Sequence, residues 1–283
     1  MEVIKFDHYT KSSKEFTLHN LNFSMNQGYI TGIIGPNGSG KTSIIRSIMN
    51  LDRPDQGEVL VFGQSYRTEE RKIKRRIGFV YDEPYFYDHL TLNEMKKIVA
   101  SFYPTWKESL FQKYRDQFEL SGKQNMNRLS KGMKTKFSLA TALAHEPELL
   151  IMDEPTAGLD PVFRREILAI LTAYIGEGER SVVFSTHIST DLERIADFIV
   201  YIRKGQIHFN GSKEQLLDAY WLVQGSKELL HSCKLPLIGM RHTAFGFEGL
   251  LPAHSCSDTQ LNSLASVEKP TLEDILVFTK EGE

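Results

Sequence analysis

The sequence predicts an α/β fold on a mixed, largely parallel sheet, and three observations predict it. Short apolar runs at Tyr29 to Ile34, Leu149 to Met152, Ser181 to Ser185 and Phe198 to Ile202 are interleaved with helical patterns, the order that packs helices on a buried sheet. A glycine-rich turn, Gly35 to Gly40, joins the first run to a helix. From about 82 to 145 strand signals give way to a mostly helical insert.

Taken in order, the first third is β-rich. Glu2 to Phe6 and Phe16 to Met25 alternate as strands, and Thr42 to Met49 spaces Ile44, Ile45, Ile48 and Met49 on one helical face. Glu58 to Phe62 and Ile77 to Tyr81 are further strands. The basic run Arg71 to Arg76 reads as a solvated helix face leading into the second of them. Thr91 to Glu94 has the form of a capping box before a helix reaching Phe102. Pro104 fits near the start of a helix to Leu120, and Ser130 caps a third, to about His145. Pro161 to Tyr174 and Gly211 to Tyr220 are also helical. Beyond them the pattern fades, apart from a short amphipathic helix at Thr271 to Phe278. The expected division is a main domain, 1–215, and a small C-terminal accessory extension, 216–283.

Lys and Arg number 34 against 36 Asp and Glu, a net charge of -2, the wrong balance for a protein held on nucleic acid mainly through phosphates. No nucleic acid is expected as a partner. Cys233 and Cys256 make no disulfide framework and are read as free thiols of a reducing cytosol. The N-terminus lacks the apolar core of a signal peptide, and no run of about 18 apolar residues is present to span a bilayer.

Gly35-Pro36-Asn37-Gly38-Ser39-Gly40-Lys41-Thr42 matches GxxxxGK[ST] between a strand and a helix. Its glycines let backbone N–H groups converge on phosphate oxygens, and the helix N-terminus adds favourable partial charge. Lys41 is placed to reach the β- and γ-phosphates of ATP, and Thr42 to ligate Mg²⁺. Leu149 to Glu154 is an apolar strand ending in two acids. Asp153 would hold the metal, and Glu154 would polarise the attacking water as general base.

With these motifs the sequence resembles the ABC ATPases over about residues 1–215, which implies a P-loop NTPase fold of ABC type. Leu129-Ser130-Lys131-Gly132-Met133 stands where that family has its LSGGQ signature, Ala157 to Asp160 matches the D-loop, and His187 the switch histidine. The resemblance implies a head-to-tail pair with two ATP molecules in the interface. Lys41, Thr42, Asp153, Glu154 and His187 of one subunit would then face Ser130 and Gly132 of the other, and Asp160 would join the nucleotide contacts. It also implies an aromatic residue stacked on adenine; Tyr9 fits best, with Phe16 second. The sequence departs from the family at the Q-loop, where Asp82 replaces glutamine but could still approach Mg²⁺. It departs again in the signature, where Lys131 and Met133 replace glycine and glutamine.

These variants and the tail are similar to bacterial exporter ATPases of the bacitracin-resistance and phenol-soluble-modulin type. That resemblance implies an exporter of amphipathic peptides or lipophilic antimicrobials. The chain would sit at the inner face of the membrane on a separate transmembrane permease subunit, paired with an identical or paralogous ATPase subunit. The helical insert would dock the permease near Asp82 to Tyr87, where Tyr85, Phe86 and Tyr87 suit such a contact. The rival readings are a soluble ABC protein acting on ribosomes or DNA, and a weakly hydrolysing regulatory module. A single set of motifs, the absence of sustained heptads, and the intact Glu154 and His187 stand against them.

Overall fold

Alternating apolar residues at the start of the chain pair as two antiparallel strands, β1 (Glu2–Ser12) and β2 (Thr17–Asn26). The wholly buried β3 (Ile30–Ile34) follows, and the glycine-rich turn leads into α1 (Lys41–Ile48). Next come β4 (Gln56–Val61), β5 (Gln64–Ser65), α2 (Tyr66–Arg75), which bears most of the basic run, and β6 (Ile77–Val80). The insert contains α3 (Leu92–Ala100), α4 (Glu108–Gln117) and α5 (Lys131–Leu143). The chain continues through β7 (Leu149–Asp153), α6 (Pro161–Ile175), β8 (Ser181–Thr186), α7 (Ser189–Ile195), β9 (Phe198–Arg203), β10 (Gln206–Ser212) and α8 (Lys213–Asp218). Its last elements are β11 (Tyr220–Gly225), β12 (Ile238–Thr243), β13 (Gly246–Pro252), β14 (Ser266–Glu268) and α9 (Leu272–Glu281). This computed structural model describes residues 1–14, 16–176, 178–227, 236–244, 246–255, 264 and 266–281; Cys233 and Cys256 lie outside them.

The chain divides into two units, Met1–His187 with Val200–Asn210, and Ile188–Ile199 with Gly211–Glu283. In the first, six strands run in the order β10-β9-β3-β8-β7-β6, beside a sheet ordered β2-β1-β4-β5. β3, β8, β7 and β6 are paired in parallel, with Ile34 opposite Thr186, Asp153 opposite Ser185 and Val80 opposite Met152. Parallel pairing brings the C-terminal ends of all four strands to one edge, where ligands of open α/β sheets bind. The phosphate loop, Asp82, Glu154 and His187 all leave from that edge.

The insert's helices start as their sequence dictates. The Thr91 hydroxyl accepts from the Glu94 N–H at 3.3 Å while the Glu94 carboxylate accepts from the Thr91 N–H at 2.8 Å, and Ser130 caps α5. Helix α4 begins four residues after Pro104, later than the sequence suggests, because Thr105 is tied to the His145 carbonyl at 2.9 Å. Phe86 packs edge-on against Phe137 at 5.1 Å, whereas Tyr85 and Tyr87 stand 89% and 59% exposed.

The second unit joins α7 to an antiparallel sheet ordered β12-β13-β11-β14. Its core holds Val223, Phe247 and Leu251 with Trp221, Met240 and Val267 against them. Helix α9 lies against α7, and the Leu272 N–H donates to Glu193 Oε1 at 2.8 Å. The close approach of α9 to β12 requires glycine at 239, since a Cβ there would sit 2.1 Å from the Phe278 carbonyl oxygen. No helix among the described residues is long and apolar enough to cross a membrane.

Candidate active site

The phosphate loop owes its path to two glycines. Gly40 caps α1 at φ 111°, a left-handed conformation that L side chains rarely adopt, and a Cβ there would lie 2.6 Å from the Phe16 ring. Gly35 is pressed against β9: a Cβ would come within 2.1 Å of the Ile202 carbonyl oxygen. Asn37 and Gly38 face outward, while Ser39 is buried. Lys41 starts α1 and is only 7% exposed. Its ammonium donates to the Gly35 carbonyl at 2.9 Å and stands 3.7 Å from Glu154 Oε1. Burial pulls the Lys41 pKa below the usual lysine range, against the opposing pull of Glu154 and Asp153.

Asp153 ends β7 almost fully buried. Thr42 Oγ1 and Ser185 Oγ both donate to its Oδ1, at 3.3 Å and 2.5 Å. Desolvation pushes its pKa up, and the two hydroxyls only partly offset this. A buried carboxylate beside a hydroxyl is a hard oxygen pair of the kind Mg²⁺ takes together with phosphate oxygens. Glu154 turns out of the strand in a left-handed conformation, φ 47°. Its N–H donates to Ser185 Oγ at 3.0 Å, and its Oε2 lies 2.7 Å from His187 Nδ1 and 3.2 Å from the His187 N–H. The carboxylate is thereby fixed between Lys41 and His187.

Lys41, Thr42, Asp153, Glu154 and His187, all named from the sequence, thus meet at one sheet edge. Ser185 is the residue sequence reading missed as part of the site. It bridges both acids, and its one signal is its place at the end of the neighbouring parallel strand, opposite Asp153. Ser130 accepts from the Met133 N–H at 3.3 Å as the cap of α5, and Gly132 would place a Cβ 3.5 Å from Leu159, next to the D-loop acid. Asp160 itself caps α6, accepting from the Val162 and Phe163 N–H groups at 3.0 Å each.

Tyr9 requires a correction. It is fully buried in the core, its ring edge-on to Phe6 at 5.4 Å and its hydroxyl donating to the Asp52 carbonyl at 3.0 Å, so no face is open to a base. The ring at the phosphate loop is Phe16, which lines a cleft of about 490 Å³ with Ser13, Asn37, Gly38, Thr42 and Glu154. Asp82, expected to be able to approach Mg²⁺, is held by Lys131, whose Nζ lies 2.5 Å from its Oδ1.

Residues 18–157 match the sequence profile described as ABC transporter. The chain is 33% identical over 211 residues to the bacitracin transport ATP-binding protein BcrA of Bacillus licheniformis, covering 72% of this chain and 68% of BcrA. It is 32% identical over 208 residues to the lantibiotic transport ATP-binding protein SrtF of Streptococcus pyogenes, covering 72% of this chain and 89% of SrtF.

This chain belongs to the ABC transporter ATP-binding proteins.

Among solved structures it is similar to the dimeric post-hydrolysis state of the ATP-binding cassette MJ0796 bound to ADP and Pi. That likeness has a TM-score of 0.66 at 27% identity and covers 74% of this chain and 98% of that one. The ABC ATPase described here is therefore an ATP-binding and hydrolysing subunit, its α/β core shared with ATPase subunits of known structure. The matched stretch spans 66% and 68% of the length of the first relatives.

Proposed function

We propose that this ABC ATPase drives export of an amphipathic peptide or lipophilic antimicrobial through a separate transmembrane permease, from the inner face of the membrane. The names of BcrA and SrtF, transport proteins for bacitracin and a lantibiotic, support the cargo class. The observation that carries the mechanism is the convergence of Lys41, Asp153, Glu154 and His187 on one sheet edge.

In this reading the loop from Gly35 to Thr42 holds the phosphates of ATP on backbone N–H groups, and Lys41 swings from the Gly35 carbonyl to the β- and γ-phosphates. Thr42 and Asp153 would hold Mg²⁺, which would supply charge neutralisation of the phosphates. Glu154, oriented by His187, takes the proton of the attacking water. Phe16 stacks on adenine in the place first given to Tyr9. Two chains, identical or paralogous, pair head to tail, so that Ser130 and Gly132 of one close on the γ-phosphate bound to the other, with Asp160 fixing the D-loop between them. Hydrolysis then removes the charge that holds the pair closed. The helical insert docks the permease beside the exposed Tyr85 and Tyr87, and the segment 216–283 is an accessory part of the second unit.

The test is the solution mass of Glu154→Gln with ATP and Mg²⁺ against ADP, together with co-purification of the wild-type chain with membranes. An ATP-dependent dimer and membrane capture are expected. A protein that kept full ATP turnover after Glu154→Gln would overturn the assigned chemistry.

A further inference from the structure

Two departures from the family pattern meet in space. Asp82, in the loop after β6, and Lys131, the first residue of α5, are 49 positions apart and form an ion pair of 2.5 Å. The side chains are 39% and 46% exposed, so the pair is weak and readily exchanged for a better partner. The start of α5 explains why Lys131 needs an anion. The first turn of α5 has no acidic residue and carries Lys131 and Lys134, cations placed against the positive end of the helix dipole. Asp82 supplies the missing negative charge. Asp82 also follows β6, which runs parallel to β7 with Val80 opposite Met152, so it leaves the same sheet edge as Asp153 and the corner that Thr42 and Asp153 form.

The geometry points to Lys131 as a positioning residue for Asp82. While Lys131 holds the carboxylate, Asp82 is kept from the corner formed by Thr42 and Asp153; an anion arriving at the start of α5 draws Lys131 away and releases Asp82 toward it. This rests on the head-to-tail reading above, in which that anion is the γ-phosphate bound to the partner subunit. Each subunit then learns through one lysine whether its signature is engaged, and alters the charge around its own metal position accordingly. The two departures from the family are one exchange, a short acid at the Q-loop matched by a cation in the signature.

The experiment measures ADP binding to the full chain by calorimetry as Mg²⁺ is titrated; ADP brings no γ-phosphate to draw Lys131 away, so the pair stays closed in the parent. Lys131→Met is compared with its parent in the presence and absence of Asp82→Asn. Lys131→Met is expected to lower the half-saturating Mg²⁺ roughly two- to fivefold. It is expected to leave that value unchanged when Asp82 is already Asn, and Lys131→Arg is expected to behave as its parent. An equal shift in both backgrounds would mean that Lys131 acts on the metal directly, and no shift in either would mean that the pair is structural only; both overturn the inference. A parent that bound no ADP at any Mg²⁺ concentration would overturn the nucleotide reading beneath it instead.

Discussion

His187 grips Glu154 twice, through its ring Nδ1 at 2.7 Å and its backbone N–H at 3.2 Å, and both contacts fall on the same oxygen, Oε2. The other oxygen, Oε1, is left facing Lys41 at 3.7 Å. One oxygen of the carboxylate thus sets its orientation while the other looks into the phosphate cleft. Glu154→Gln is expected to lower turnover by about 10²- to 10⁴-fold with ATP binding retained. His187→Ala is expected to lose less, because the backbone contact survives. Phosphate release under single-turnover conditions measures both.

Phe16 and Tyr9 separate cleanly by substitution. Removing the Phe16 ring by Phe16→Ala is expected to weaken ATP binding roughly tenfold, the order of one aromatic stack on a base. Tyr9→Phe removes the hydroxyl that donates to the Asp52 carbonyl and keeps the buried ring. It is expected to cost about 1 kcal/mol of stability and leave ATP affinity unchanged. Calorimetric titration with ATP and a denaturant melt distinguish the two.

The order in which these two aromatics were ranked shows where sequence reading stops. The phosphate loop, the acidic strand and His187 were legible because their spacing is local and the parallel strand ends do the rest. Tyr9 was not, because β1 has a bulge. His8 sits at φ 48° and the register with β2 shifts between Phe6 and Tyr9, so Phe6 and Tyr9 both turn inward where strict alternation would send them to opposite faces. The Asp82–Lys131 pair was seen as two departures and not as one contact, since nothing local links residues that far apart. The four-stranded sheet of the second unit was hidden because Gly239 and Gly246 occupy its strands for close packing, which erases the alternation.

Gly35→Ala would drive a methyl group into the Ile202 carbonyl oxygen, a collision of backbone with backbone that no side-chain rotation relieves. A loss of about 1–3 kcal/mol is expected, together with weaker phosphate binding as the loop shifts. Thermal unfolding with and without ATP reads both effects.

His145 gives the protein an acid limit. Its ring is stacked on Tyr103 at 3.8 Å, both ring nitrogens are buried without a hydrogen-bond partner among the described residues, and burial holds its pKa down at about 4. Because the folded value lies below the unfolded value of about 6.5, the unfolded chain takes up this proton first. The stabilisation is fully present above about pH 6.5 and is lost progressively as pH falls toward 4, a change of about 3 kcal/mol. His145→Phe, which keeps a ring on Tyr103, is expected to flatten that part of the pH–stability curve in urea titrations.

The second unit takes in residues 188–199, which begin immediately after His187, and only then the chain beyond 210. A shortened protein ending near 215 would therefore not be a trimmed cassette. It would strip α9 from α7 and free the Glu193 carboxylate from Leu272, uncovering a helix two residues beyond the histidine that contacts Glu154. The last seventy residues share one unit with α7, so losing them also leaves part of the chain before residue 200 without its packing partner.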